Sequence, residues 1–386
     1  MIGPAVFVAA VWICINFLFE LNLSALGPIN SIFSSFSIKD IYYGKIQSKK
    51  ELYDDRIVLV DIDTLGRKGI LGCLEAVDSC KPRAVGVDIL FPDLKDDMTT
   101  DMLLAAYAQQ HRNSVFAVNK IEDKGLKESF FTKNDSLIKK GLVNFGKEGE
   151  HMVVRTLLNK VDSVQFRSMV YQLYTAFTGR NNISDRLKNE TEIEIFYKRI
   201  RFPEIKASAL ISNPTSFKKI INDKIVLIGA TNDASDMHVT PYSTAVPEGN
   251  GSAGFTESPG IEIHAMALSL LLSGVYVRSS VFLDWLFVIV LFFISVYSMV
   301  YLLEKDEFYM DLGSKVYAFV FSCILFLLYM FLFDRFHFQF NFMQAIVIVI
   351  LTSEMVKIYK PVMAIVFKVL KRVRGSILSL KNMLHV

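Results

Sequence analysis

The sequence predicts an α/β domain, a mainly parallel sheet sandwiched by helices, attached to four transmembrane α-helices. Three observations carry that reading. Four apolar spans of about 20 residues each have the length needed to cross a bilayer core. Between the first and second, short fully apolar runs alternate with helix-like stretches, as in parallel sheets buried on both faces. Those two spans are separated by about 250 residues, the size of one large domain.

The first span occupies residues 1–23, with its apolar stretch from Pro4 to Leu23; the others are Val281–Leu303, Lys315–Phe333 and Phe340–Ile358. Four crossings place both termini on one face. Beyond Ile358 the chain carries Lys360, Lys368, Lys371, Arg372, Arg374 and Lys381, and no acid follows Glu354. A short basic segment beside a span stays in the cytoplasm, so the C-terminus is expected inside and residues 24–278 outside. Glu304–Asp311 is then a cytoplasmic turn and Asp334–Asn341 an external hairpin. A cleaved signal peptide is the alternative for the first span, although no Lys or Arg precedes it. Glu354 is expected to pair with Lys357 at the inner end of its span. The expected location is the inner (cytoplasmic) membrane of a bacterium.

Composition agrees. Hydrophobic residues make up 52% of the chain, including 31 phenylalanines. The net charge of +3 is small and comes largely from the tail, which argues against a nucleic-acid partner. Cys73 and Cys80 are seven apart in an expected helix, about 10 Å along its axis, too far for a disulfide.

Within the external domain, Ile57–Val60 is a β-branched and aliphatic run closed by Asp61, Ile62 and Asp63. A helical stretch over Leu71–Ser79 follows, then a second strand, Ala84–Val87, closed by Asp88. Met102–His111 has helical spacing, and Ser114–Val118 is a third strand. Lys224–Ile228 is another buried run. The more polar residues 120–200 suit an antiparallel excursion, and the glycines of Glu248–Pro259 suggest a flexible loop.

Ligands of open α/β sheets sit at the carboxyl ends of strands, where Asp61, Asp63, Asp88 and Asp236 gather. They form a candidate binding cleft; helix capping and turn closure are the competing explanation. Asp236-x-His238 and Glu262-x-His264 are weak metal candidates, since a one-residue spacing on extended chain puts both side chains on one face. A packed helix beginning at Ile261 argues against the second pair, and no metal or cofactor is expected. Asp61-Ile62-Asp63-Thr64 resembles the nucleophile motif of haloacid-dehalogenase-like phosphatases, but the paired aspartates that hold magnesium there are missing. No enzyme activity is expected.

A wider resemblance covers the external half. Ile57-Val58-Leu59-Val60-Asp61-Ile62-Asp63 resembles the opening strand of the second type of CHASE domain, the extracellular sensory module of bacterial cyclases and histidine kinases. Pro82-Arg83-Ala84-Val85-Gly86-Val87-Asp88-Ile89-Leu90-Phe91 resembles its next signature. Gly141-Leu142-Val143-Asn144-Phe145, Lys224-Ile225-Val226-Leu227-Ile228-Gly229-Ala230-Thr231 and Pro259-Gly260-Ile261-Glu262-Ile263-His264-Ala265 continue it in order. The resemblance spans Asp40 to Gly274 and implies three closing membrane spans. Where the family carries a Trp-Pro-Trp-Pro-Arg-like stretch, this chain reads Leu65-Gly66-Arg67-Lys68-Gly69-Ile70. Family members usually continue into a cytoplasmic kinase or cyclase; here residues 359–386 form a basic amphipathic tail instead. Its Lys368, Lys371, Arg372 and Arg374 are expected to meet anionic lipid or a partner protein. The resemblance therefore implies a non-catalytic sensor or receptor subunit acting through a separate partner. A scaffold subunit of a membrane complex is the alternative. Self-association stays open, with no GxxxG pair to mark a dimer face.

Overall fold

The computed structural model describes residues 2–20, 38–47, 50–95, 97–121, 125–133, 135, 137–148, 153–161, 164–179, 190–242, 257–302 and 307–383. The chain folds as two compact units, one over Asn30–Tyr276 and one formed by Met1–Ile29 with Val277–Val386.

The larger unit is built on a sheet whose parallel part runs, edge to edge, β13 (Glu204–Lys206), β2 (Ile57–Asp61), β14 (Ile225–Gly229), β3 (Ala84–Val87), β4 (Ser114–Ile121), β6 (Lys139–Leu142) and β10 (Val164–Ser168). Two antiparallel strands complete it: β9 (Lys160–Val161) beside β10, and β5 (Gly125–Glu128) on the far half of β4. The apolar runs at 57, 84 and 225 are neighbours, with β14 inserted between β2 and β3: Ile225 lies opposite both Ile57 and Ala84. Every residue of these three strands is buried, which explains why they are apolar with no alternation up to Asp61 at the end of β2.

One face of the sheet turns Val58, Val60, Val85, Val87, Phe116 and Val226 into the main hydrophobic cluster. That cluster takes Leu74 and Val77 from α3 (Arg67–Ser79), Leu104 and Tyr107 from α4 (Met98–Gln110), and Leu210 from α6 (Ala207–Ser212). Gly86, of opposite parity, turns toward Leu173 and Met169 of α5 (Met169–Thr178). Helix starts follow local chemistry. Asp97 accepts the Thr100 N–H to cap α4, Ser168 accepts the Tyr171 N–H to cap α5, and Pro214 opens α7 (Pro214–Ile221). Cys73 and Cys80 are buried free thiols.

The expected antiparallel excursion is present but does more than predicted. Part of residues 120–200 extends the parallel sheet through β6 and β10. Another part forms a separate antiparallel sheet, β11 (Glu192–Glu194), β8 (Val153–Leu158) and β7 (Phe145–Glu148). Short β1 (Leu52–Tyr53) pairs β12 (Ile200–Arg201), and β15 (Met237–Val239) pairs β16 (Glu257–Pro259) before α8 (Gly260–Leu272). Most of the glycine-rich stretch from Glu248 lies outside the described residues.

In the second unit, three helices are long and apolar enough to cross a membrane, over Val281–Leu302, Met310–Phe336 and Phe342–Tyr359. They belong to α9 (Val281–Leu302), α10 (Glu307–Phe336) and α11 (Phe342–Met383). The first predicted span coincides with helix α1 (Ile2–Glu20), whose described apolar part, Ile2–Ile13, is shorter than a crossing. Helix α10 begins at Glu307 and runs to Phe336, and His337 follows it in the left-handed region (φ 51°); residues 303–306 of the predicted cytoplasmic turn lie outside the described residues. The tail is no separate element, because α11 continues through Pro361 to Met383. Tyr317 donates to Ser295 Oγ at 3.1 Å. Lys357 pairs with Asp311 at 3.2 Å and, as expected, with Glu354 at 3.0 Å.

Candidate functional site

The strand-end aspartates occupy three different environments. Asp61 is buried; its Oδ1 accepts the backbone N–H groups of Asp63 (3.1 Å) and Thr231 (3.2 Å). It thereby ties the end of β2 to the end of β14. Asp63 is exposed, with φ 48°, and makes the turn that follows. Asp88 and Asp236 do come together. Burial, followed by the negative charge of Asp236, pushes the Asp88 carboxyl up to about 7.

Asp236 sits at the start of α8, where the helix dipole favours an anion. Its Oδ2 lies 2.8 Å from where a side chain on Gly260 would begin, so any such side chain would have to push the carboxylate aside. Its Oδ1 is 3.2 Å from His238 Nε2. Phe145 joins the two histidines, stacked on His264 at 4.6 Å and edge-on to His238 at 5.0 Å. Burial lowers His264 to about 4, against the opposing pull of Asp236 and a hydrogen bond to the backbone of Val143.

Glu262 and His264 do not share a face. Both lie on α8, where residues two apart point in nearly opposite directions, whereas the metal idea required extended chain. Among the described residues no group of three or more His, Cys, Asp or Glu side chains is arranged to hold a metal ion.

Glu262 instead lines a pocket of about 440 Å³ in the larger unit, with Tyr197, Lys198, Arg199, Tyr242 and Met266 in its walls. None of the four aspartates is among its lining residues. Tyr197 and Tyr242 meet edge to face at 5.8 Å, and Tyr43 packs on both at 5.7 and 6.2 Å. The guanidinium of Arg199 lies 5.5 Å over the Tyr242 ring, and Lys198 the same distance over Phe196.

Hydrogen bonds lock this aromatic wall to the segment that follows the N-terminal helix, a one-turn helix α2 (Ile38–Ile41) continued by a π-turn over Tyr42–Ile46. Tyr242 donates to Gln47 Oε1 at 3.1 Å, and Gln47 donates to the Tyr197 carbonyl at 2.8 Å. Tyr197 donates to the Val154 carbonyl at 2.8 Å. Burial raises both phenols above their ordinary value. Next to this wall, Arg155 and Asp40 form a buried pair at 2.7 Å, and Lys39 pairs with Glu194. One side of the pocket is thus anchored to Ile38–Ile46. Another side is α8, which leads by sequence into α9.

Sequence reasoning passed over Tyr197, Lys198, Arg199 and Tyr242. Two aromatics and two cations in direct succession, Phe196-Tyr197-Lys198-Arg199, were the available signal within an otherwise polar stretch. On α11, Lys368 and Lys371 are exposed beside exposed Ile365 and Phe367, while the side chains of Arg372 and Arg374 lie outside the described residues.

A mainly parallel α/β domain with an open side pocket stands in a chain that also carries three membrane-length helices, the make-up of a membrane-attached module. A family model described as the CHASE2 domain matches residues 37–300, and the chain belongs to that family. The CHASE2 domain is a sensory rather than a catalytic domain. No curated protein and no solved structure matches the chain.

Proposed function

We propose that this protein is a non-catalytic sensor subunit of the bacterial inner membrane. In this reading residues 24–278 face outward, α1 is a fourth crossing, and the C-terminus is cytoplasmic. The domain binds an envelope ligand and relays its presence through the spans to a separate partner. One observation carries the reading: the Tyr197 and Tyr242 wall of the 440 Å³ pocket packs on Tyr43 of the segment by which the chain enters the domain, while Glu262, Ile263 and Met266 of the lining lie on α8, by which it leaves. A ligand that pulls Tyr242 and Glu262 together repositions Ile38–Ile46 relative to α8, and by chain continuity the helices beyond them. The exposed apolar and basic residues of α11 past Tyr359 offer the partner, or anionic lipid, a contact.

The test is purification from native membranes through a C-terminal tag, followed by assay of the co-purified cytoplasmic enzyme with pocket variants Tyr242→Ala and Arg199→Glu. Both variants should change that enzyme's output at unchanged membrane level. Recovery of structural envelope proteins alone, or an output indifferent to both changes, would replace the sensor with a scaffold.

A further inference from the structure

The charges of the pocket are not paired with each other. Lys198 and Arg199 stand on the aromatic side and Glu262 on α8, and among the described residues none of the three forms an ion pair. Glu51, the other acid of the lining, is already taken by Arg201 at 2.6 Å. Lys198 and Glu262 are half-buried and neither has an ion partner among the described residues; the Lys198 ammonium has only the Phe196 ring face. Burial and the neighbouring Glu204 both push the Glu262 carboxyl upward, as expected of an anion awaiting a cation. Between the two charged sides the walls are apolar or aromatic, from Tyr197, Tyr242, Ile263 and Met266.

We infer that this pocket binds a zwitterionic small molecule of the amino-acid or short-peptide class, its carboxylate on Lys198 and Arg199 and its ammonium on Glu262. The apolar side chain of such a ligand lies against Tyr197, Tyr242 and Met266. A volume of about 440 Å³ falls within the roughly 300–1,000 Å³ usual for small-molecule sites. A simple anion would leave Glu262 unpaired and repelling it, and a simple amine would leave both cations unpaired. The inference rests on the sensor reading for its biological meaning, but not for the binding itself.

The full chain in detergent micelles is titrated with l-phenylalanine, l-leucine and Gly-Phe, with melting temperature and calorimetric heat as readouts. At least one should give a saturable upward shift. Its N-acetyl and its C-terminal amide analogues should each bind at least about tenfold more weakly, since each loses one charge-assisted contact. Glu262→Gln should erase the discrimination against the N-acetyl form, and Arg199→Gln that against the amide. No shift with any of the three probes overturns the inference, as does N-acetyl binding equal to that of the parent. If the probes fail while the pocket variants still alter partner output, the ligand class falls and the sensor stands. If the probes bind but output never responds, the sensor falls and the ligand class stands.

Discussion

At the scale of single residues, two buried groups pull the pH profile in opposite directions. Folded Asp88 keeps its proton up to about 7, whereas an unfolded aspartate releases it near about 3.9. The folded state binds the extra proton between those values, so this group's contribution to stability falls as pH rises through them. Folded His264 stays neutral down to about 4, whereas an unfolded histidine takes up a proton near about 6.5. The unfolded state then binds more protons, and stability rises with pH across that window. The two slopes oppose each other. Asp88→Asn should leave a melting temperature that climbs between pH 4 and 6.5, and His264→Gln one that falls between pH 4 and 7; thermal melts of the full chain check both. The Asp40–Arg155 pair gives a second prediction. Asp40→Ala breaks this buried pair, which costs about 3–5 kcal/mol. Limited proteolysis should then cut within Ile38–Ile46, and an uncut segment would show that the aromatic contacts suffice to hold it.

At the scale of elements, two glycines set how closely helices approach the strands. A side chain on Gly141 of β6 would begin 2.5 Å from the Met169 Cα, which is backbone and has nowhere to go. On Gly260 it would meet only the Asp236 carboxylate, the end of a side chain that can turn away. Gly141→Ala should therefore cost about 3 kcal/mol and Gly260→Ala about 1 kcal/mol, measured by urea unfolding; equal costs would contradict the packing at α5. The strands legible in the sequence were those with a buried neighbour on every side. Ile57–Val60, Ala84–Val87 and Ile225–Gly229 are apolar throughout because nothing about them meets water. Lys139–Leu142 and Val164–Ser168 also join the parallel sheet, yet they lie toward its edge and carry Lys139, Lys140, Gln165 and Arg167, so composition disguised them as excursion.

At the scale of the whole molecule, orientation is directly testable. Asp63 stands in an exposed turn of the domain and Lys371 is exposed on α11. In intact cells, a membrane-impermeant maleimide should label Asp63→Cys at once and Lys371→Cys only after permeabilisation. The reverse pattern would invert the proposed topology. The acidic strand ends were legible because βα turns announce themselves locally. The pocket was not: its walls come from Glu51 and from residues 197–202, 240–242 and 258–266, which are brought together only by tertiary packing, and no spacing rule links them.

Helix α11 is 42 residues long, about 60 Å at 1.5 Å per residue, whereas a hydrocarbon core takes about half of that. Under the proposed relay it would act as a drive shaft rather than a tether. A slip of one residue in how its apolar half is gripped advances the far end by about 1.5 Å and turns it by about 100°. That is enough to carry Phe367 to the side where Lys368 stood, or the reverse. By that gearing, a small slip of α11 under the proposed relay changes the face shown at its far end.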